Sequence, residues 1–298
     1  MSARVSREVA VLGGGERELE IIRGFLAAGY RVRTYGTIKS EEYAGLRAGS
    51  LEEAVEGADI VVAPMPGVAV DGSLYAPHSP ERIVVDGKVF ARTRPGARYF
   101  SGRAAAHTLA AAVEHGVNVH DIGADDVVQM HHAVPTAEAA ICVAVHHTDM
   151  PLLVQRCLVI GYGRIGTLVA RYLQGFGVRA TVAARRPEIR ARAEAIGHQV
   201  TGTSPAELSE AIAGTDTVFM TASAPLVTGA VLAAVHDGQL IVDLASPPGG
   251  IAHQEARDRG ATVIWARAQA DSSARYSGRA QFDFIMRTLA AAGEEVHR

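Results

Sequence analysis

Residues 157–174, CLVIGYGRIGTLVARYLQ, constrain what this chain can fold into more than any other stretch. Leu158, Val159 and Ile160 have the length and character of a buried strand, and Gly161, Gly163 and Gly166 follow as a GxGxxG turn that opens a helix. Each glycine has its own task. Gly161 permits the tight turn, Gly163 lets the backbone approach a pyrophosphate, and Gly166 lets the helix from Arg164 pack closely on the strand. A helix start also leaves N–H groups without intrahelical partners and turns its positive dipole end toward a phosphate. The pattern therefore predicts a dinucleotide site at Gly161, Tyr162, Gly163, Arg164, Ile165 and Gly166.

The strand expected next, 180–184, ends in Arg185 and Arg186. A site for NAD places an acidic residue there to hold the ribose 2′-hydroxyl, whereas arginine suits a 2′-phosphate, so NADP is expected over NAD. A solvated basic loop before Pro187 is the other reading of this pair. Thr221, Ala222 and Ser223 follow a later strand, and Ala245 and Ser246 follow another. Their small side chains allow a dinucleotide to come close, and they join the candidate cofactor residues.

At 298 residues the chain suits two domains better than one core. Strands are expected at 8–12, 31–35, 60–63, 83–85 and 98–100, with helices at 16–28, 50–56 and 103–115. A second series of strands is expected near Cys157, at 180–184, 217–220, 240–244 and 262–265. This alternation predicts an α/β protein with two Rossmann-like, doubly wound parallel-sheet domains, 1–134 and 135–278. Pro135 is expected to open an interdomain helix with an apolar face through Ala140, Ile141, Ala144 and Val145. The last helix, 279–292, is expected to return to the first domain and complete it.

A net charge of −3 supplies no global basic field, which argues against nucleic acid as the partner. No run of 18 apolar residues is present and the apolar start is too short for a signal peptide, so a cytoplasmic location and no membrane contact are expected. Cys142 and Cys157, the two cysteines, read as reduced core residues. No metal site is expected, because adjacent histidines on a helix diverge and no third ligand has matching spacing.

Gly13, Gly14 and Gly15 form a second glycine turn after a strand, but Glu18 stands where a third glycine would be and Glu16 adds a further negative charge. Carboxylates there suit the helix dipole and repel a phosphate, so a tight structural turn is expected instead of a second nucleotide site. The loop after 60–63 carries Pro66 and Gly67 at the carboxyl end of a strand, where open α/β sheets place ligands. Ser101, Gly102 and Arg103 form a turn that can hold a carboxylate. His131 and His132 can move protons near neutral pH, and a backbone-bonded hinge role is the alternative. Glu138 can orient a water or an amide, or favour a helix start, and Thr136 is a substrate-contact candidate beside it. His146 and His147 suit a helix C-terminus.

GGGERELEII near the start, DDVVQMHHAVPTAEAAICVAVHHTD, VIGYGRIGTLVAR and LIVDLASPPGG occur in the order seen in the dipicolinate synthase A subunit family, which the chain resembles over nearly its whole length. The resemblance implies a flavodoxin-like first domain joined to a Rossmann domain of the kind found in D-2-hydroxyacid dehydrogenases. It implies conversion of 4-hydroxy-tetrahydrodipicolinate, a cyclic dicarboxylate from the lysine pathway, to dipicolinate as NADP takes a hydride. It also implies a flavoprotein-like partner, the B subunit, and a setting in sporulating bacteria, and folds of this kind commonly form homo-oligomers. The chain departs from the family pattern at Ala139, at Arg103 and Ala104, and over 266–278. Two alternatives stay open on that account: an NADP-dependent dehydrogenase of another cyclic imino acid or 2-oxo or 2-hydroxy acid, and an NADP-binding protein without catalysis.

Overall fold

The computed structural model describes residues 7–65, 67–69, 71–266 and 272–293. The chain divides into two compact units, Met1–His131 with Ser273–Arg298, and His132–Ser272.

The first unit holds β1 (Glu8–Leu12), β2 (Arg31–Tyr35), β3 (Ile60–Val62), β4 (Arg98–Ser101) and β5 (Asn118–Asp121), all parallel, in the order β2-β1-β3-β4-β5. That is the flavodoxin-type winding. Both sheet faces are covered, as strands of this kind require. Val9, Val11 and Ile60 pack with Ile22, Phe25, Phe282 and Ile285 on one face, while Ala10, Leu12 and Val61 pack with Val89, Phe90 and Ala112 on the other. The C-terminal helix Ala274–Ala291 belongs to this unit and lies against Glu16–Ala27. Glycines bring the two helices together. A Cβ on Gly24 would lie 2.8 Å from the Phe282 ring, and Phe25 meets Phe282 edge to face at 5.3 Å.

The second unit holds β6 (Cys157–Ile160), β7 (Thr181–Ala183), β8 (Gln199–Thr201), β9 (Thr217–Met220), β10 (Leu240–Asp243) and β11 (Thr262–Trp265), ordered β11-β10-β9-β6-β7-β8. Counted from its own first strand this is the Rossmann order 3-2-1-4-5-6 read from the other edge. Val159, Val182, Phe219 and Val242 bury one face with Ala140, Ala144, Val169 and Leu173, and Leu158, Ile160, Met220 and Ile241 bury the other with Leu208 and Ile212.

Several expectations from sequence need correction. Residues 83–85 are not a strand. Ile83 and Val85 are buried, but Val84 makes only a single antiparallel bridge to Ser73, so their apolar character serves packing without a ladder. The fifth strand is β5, and β8 was also not anticipated; both are edge strands whose residues are largely polar or part-exposed. Pro135 does not open a helix. The helix runs Asp126–His146, with the Asp125 carboxylate accepting from Val128 N–H at 2.9 Å near its start, and Pro135 sits inside. There it has no N–H to give the His131 carbonyl, while the Thr136 hydroxyl donates to the His132 carbonyl at 2.7 Å. Val145, expected on the apolar face, is exposed, and so is Cys142. The helix expected from 103 starts at Ala106, and the last helix starts at Ala274, before the expected 279.

Candidate functional site

In the second unit the strand order reverses between β6 and β9, and ligands of open α/β sheets bind beyond the carboxyl ends of strands at such a switch point. The glycine turn lies there. Gly161 has φ +100°, and a Cβ on it would lie 2.6 Å from the Thr221 hydroxyl oxygen. A Cβ on Gly166 would collide with the Gly161 carbonyl oxygen, so the close approach of helix to strand needs a bare glycine. Gly163, in contrast, faces open space, with nothing within 4 Å of where its Cβ would be. It is the N-cap of the helix Arg164–Gly175, which has no acidic residue in its first turn. The helix start is therefore electropositive and sterically open, as an anion site requires.

Beside it is a cavity of about 290 Å³ lined by Gly161, Tyr162, Gly163, residues 183–186, Ile189, Thr203, residues 222–224 and Leu226. It brings together seven of the expected cofactor residues: Gly161, Tyr162, Gly163, Arg185, Arg186, Ala222 and Ser223. Arg164 and Ile165 begin the adjoining helix. The Thr221 hydroxyl donates to the carbonyls of Ile160 and Gly161, at 3.1 and 3.2 Å, so it holds the turn and does not line the space. Ala245 is buried and Ser246 exposed on the loop after β10, outside this cavity. Ile189, Thr203 and Leu226 were not singled out from sequence, because isolated residues that line a pocket carry no local pattern.

Arg185 and Arg186 are both exposed beside the cavity, and the backbone leading into them is held by Arg190, whose guanidinium donates to the carbonyls of Ala184 and Arg185 at 2.8 and 2.9 Å. Arg186 also faces Glu188 at 3.5 Å. Burial pushes the Tyr162 phenol up, against the opposing pull of the Arg192 charge. These arginines give the end of β7 the positive potential that a phosphate ester needs.

The first unit handles its own glycine turn differently. Gly13 and Gly14 take positive φ, and the Glu18 carboxylate, 1% exposed, accepts from the Gly15 N–H at 2.6 Å. The anion at this helix start is part of the protein. At the carboxyl ends of β3 and β4, Gly67, Ser101, Gly102 and Arg103 are brought together. Gly67 has φ +93°, and a Cβ on it would lie 2.6 Å from the Arg103 carbonyl oxygen. The Ser101 hydroxyl donates to the Gly102 carbonyl at 2.7 Å, and the Arg103 side chain is exposed. Arg17 reaches the same edge and donates to the Met65 carbonyl at 2.9 Å; it was not anticipated. Pro66 lies outside the described residues.

His131 and His132 fall on either side of the boundary between the units, within the Asp126–His146 helix. The His131 ring lies 5.1 Å from the Tyr276 ring. Thr136 has its hydroxyl on the His132 carbonyl, and Glu138 is exposed further along the helix. His146 and His147 bond backbone carbonyls of the last turns, at 2.8 and 3.2 Å. Among the described residues no group of three or more His, Cys, Asp or Glu is arranged to hold a metal, and no helix is long and apolar enough to cross a membrane.

Residues 8–123 match the N-terminal domain of the dipicolinate synthase A subunit, and residues 143–259 match shikimate / quinate 5-dehydrogenase. The chain is 26% identical over 261 residues to the dipicolinate synthase A subunit of Bacillus subtilis (strain 168), covering 87% of each chain. Its structure is similar to that of the dipicolinate synthase A subunit from Bacillus halodurans, with a TM-score of 0.86 and 25% identity over 95% of this chain and 98% of the other. It is likewise similar to the corresponding dipicolinate synthase structure from Bacillus subtilis, with a TM-score of 0.85 and 24% identity over 96% and 97%.

Proposed function

Since this chain belongs to the dipicolinate synthase A subunit family, we propose that it is an NADP-dependent oxidoreductase that forms dipicolinate from 4-hydroxy-tetrahydrodipicolinate. Its Rossmann unit is of the dehydrogenase type, which implies a nicotinamide cofactor. The observation that carries the choice of NADP is the open, acid-free helix start at Gly163 in the same cavity as Arg185 and Arg186.

The residues fit that group. The Gly163 position leaves room for a pyrophosphate, the N–H groups at the start of Arg164–Gly175 can donate to it, and the arginines after β7 can take a 2′-phosphate. Ile189 and Leu226 offer apolar walls of the cavity to an adenine ring, with Thr203 as a polar neighbour.

When bound, NADP supplies an acceptor for the hydride that leaves the dihydropyridine ring after water has been lost, and aromatisation drives that transfer. The chain's own part is to bind carboxylates and to move protons. Arg103, with Gly67, Ser101 and Gly102 shaping the turn around it, is the carboxylate-binding residue in this reading, and Arg17 lies at the same sheet edge. His131 or His132 assists departure of the hydroxyl group and takes the ring proton, as an imidazole near neutral pH can do both. Glu138 and Thr136 orient the reacting molecule. A second polypeptide completes the working enzyme, as the family name indicates.

The test is direct. Purified protein, NADP and freshly generated 4-hydroxy-tetrahydrodipicolinate should give NADPH and dipicolinate in equal amounts, alone or with a partner polypeptide. If NADPH appears without dipicolinate, or if NAD is used in preference, the substrate or the cofactor assignment is wrong.

A further inference from the structure

The Asp243 carboxylate, fully buried at the end of β10, takes three hydrogen bonds: from Ala245 N–H at 2.8 Å, from Gly250 N–H at 2.9 Å and from the His253 ring at 2.7 Å. A buried carboxylate is costly unless its lone pairs are met by donors, and here they are met by both ends of one loop. The loop is tied from outside as well. Trp265 donates from its indole to the Ala245 carbonyl at 2.9 Å, and its ring lies 4.6 Å from the His253 ring. The effect reaches the cavity through Gly250. The Gly250 carbonyl accepts from Leu226 and Val227 N–H at 3.0 and 3.1 Å, and Leu226 lines the cavity. Gly250 has no room for a side chain, since a Cβ there would collide with Met220 and lie 3.0 Å from the Ala222 carbonyl oxygen. The Asp243 carboxylate, the Gly250 peptide and the 222–226 wall thus form one continuous set of contacts.

We propose that Asp243 and His253 are a positioning pair that sets the 222–226 wall of the cofactor cavity, so that NADP affinity depends on the hydrogen bond between them. His253 acts through Asp243 and Gly250. The inference rests on reading the cavity as a dinucleotide site. It assigns a role to two residues in neither the glycine turn nor the arginine pair, and it explains why a carboxylate is buried at this strand end.

Two substitutions at one position separate positioning from folding. His253→Phe keeps a ring against Trp265 but has no donor, whereas His253→Gln keeps an N–H that can reach Asp243. On protein whose fold is verified by circular dichroism, His253→Phe should weaken NADP binding about tenfold in calorimetry, and His253→Gln should restore it to within about threefold. Equal NADP affinity in folded His253→Phe and in the wild type overturns the proposal. Should the Phe variant not fold, the wild type decides: saturating NADP should slow amide hydrogen exchange over residues 245–250, and unchanged exchange there overturns the proposal as well. Absence of binding by the wild type to NADP and NAD alike is a separate outcome, which removes the dinucleotide reading and this inference with it.

Discussion

The Glu18 carboxylate lies at the start of its own helix and accepts the Gly15 N–H at 2.6 Å, where the corresponding position in the second unit, Gly166, leaves the helix start bare. Two glycine turns that look alike in sequence thus differ by one internal anion. In the first unit the negative charge that a helix N-terminus attracts is covalently supplied, and the turn has no need of a ligand. In the second unit it is left open.

Glu18→Ala should destabilise the first unit by about 1–3 kcal/mol, because it orphans an N–H group beside a buried turn. NADP affinity should stay at the wild-type value, since every residue proposed to hold the cofactor lies in the second unit. Urea unfolding and an NADP titration on the same protein check both halves. A parallel loss of affinity would mean that the first glycine turn takes part in binding.

Gly163→Ala and Gly166→Ala should part company. The former faces open space at an ordinary φ of −88°, so stability should change by no more than about 1 kcal/mol, yet NADP affinity should fall because the added methyl occupies pyrophosphate space. The latter collides with the Gly161 carbonyl, so about 1–3 kcal/mol of stability should be lost with the affinity. Melting temperatures and calorimetric binding distinguish the two.

Arg185→Ala should lower NADP affinity about tenfold or more and leave NAD affinity within about twofold, narrowing the preference. Arg186 is shared with Glu188 at 3.5 Å, so Glu188→Gln should release it and strengthen NADP binding modestly. The ratio of KM values for the two coenzymes is the measurement. An equal fall for both coenzymes in Arg185→Ala would remove the 2′-phosphate assignment.

Stability should decline on mild acidification. His120, stacked on Phe100 at 4.7 Å, is held below the usual imidazole range by burial and by the Arg98 charge, and His198, packed beside Tyr162 at 6.1 Å, is held below it by burial. A depressed folded value means that the unfolded chain binds the proton more readily. The stabilisation is therefore complete above the unfolded value of about 6.5 and is lost as pH falls through it toward the folded values. Melting temperatures from about pH 8 down to 5 should show this loss. His198→Phe should flatten the slope, and an unchanged slope would place the proton uptake elsewhere.

Much of the architecture was legible because parallel strands buried on both faces read as unbroken apolar runs. The interior strands β1 and β9 lie where such runs predict them, and β2 and β11 were placed as well, although both stand at sheet edges and are only partly buried. The misses have two causes. β5 and β8 stand at sheet edges, where polar residues are tolerated and the apolar signal fades, and residues 83–85 are apolar for packing alone. Pro135 misled because proline favours helix starts, yet here nine helical residues precede it and Thr136 meets a nearby carbonyl. Around the cavity, the glycine turn and the arginine pair were visible as short motifs, while Ile189, Thr203 and Leu226 were not.

What the sequence by itself determined is whatever neighbours along the chain impose: the strand–turn–helix at Gly161, the conflict between Glu18 and a phosphate, the alternation that builds two sheets. Which polar groups are consumed by the protein and which are left to a ligand was decided only by tertiary structure. Asp243 meets Gly250 and His253 across a folded loop, Gly250 meets Leu226 across two strands' ends, and Thr221 turns back on Gly161 across sixty residues of sequence. Hydrogen bonds at such separations exist only once the sheet has formed, so no local pattern could announce them.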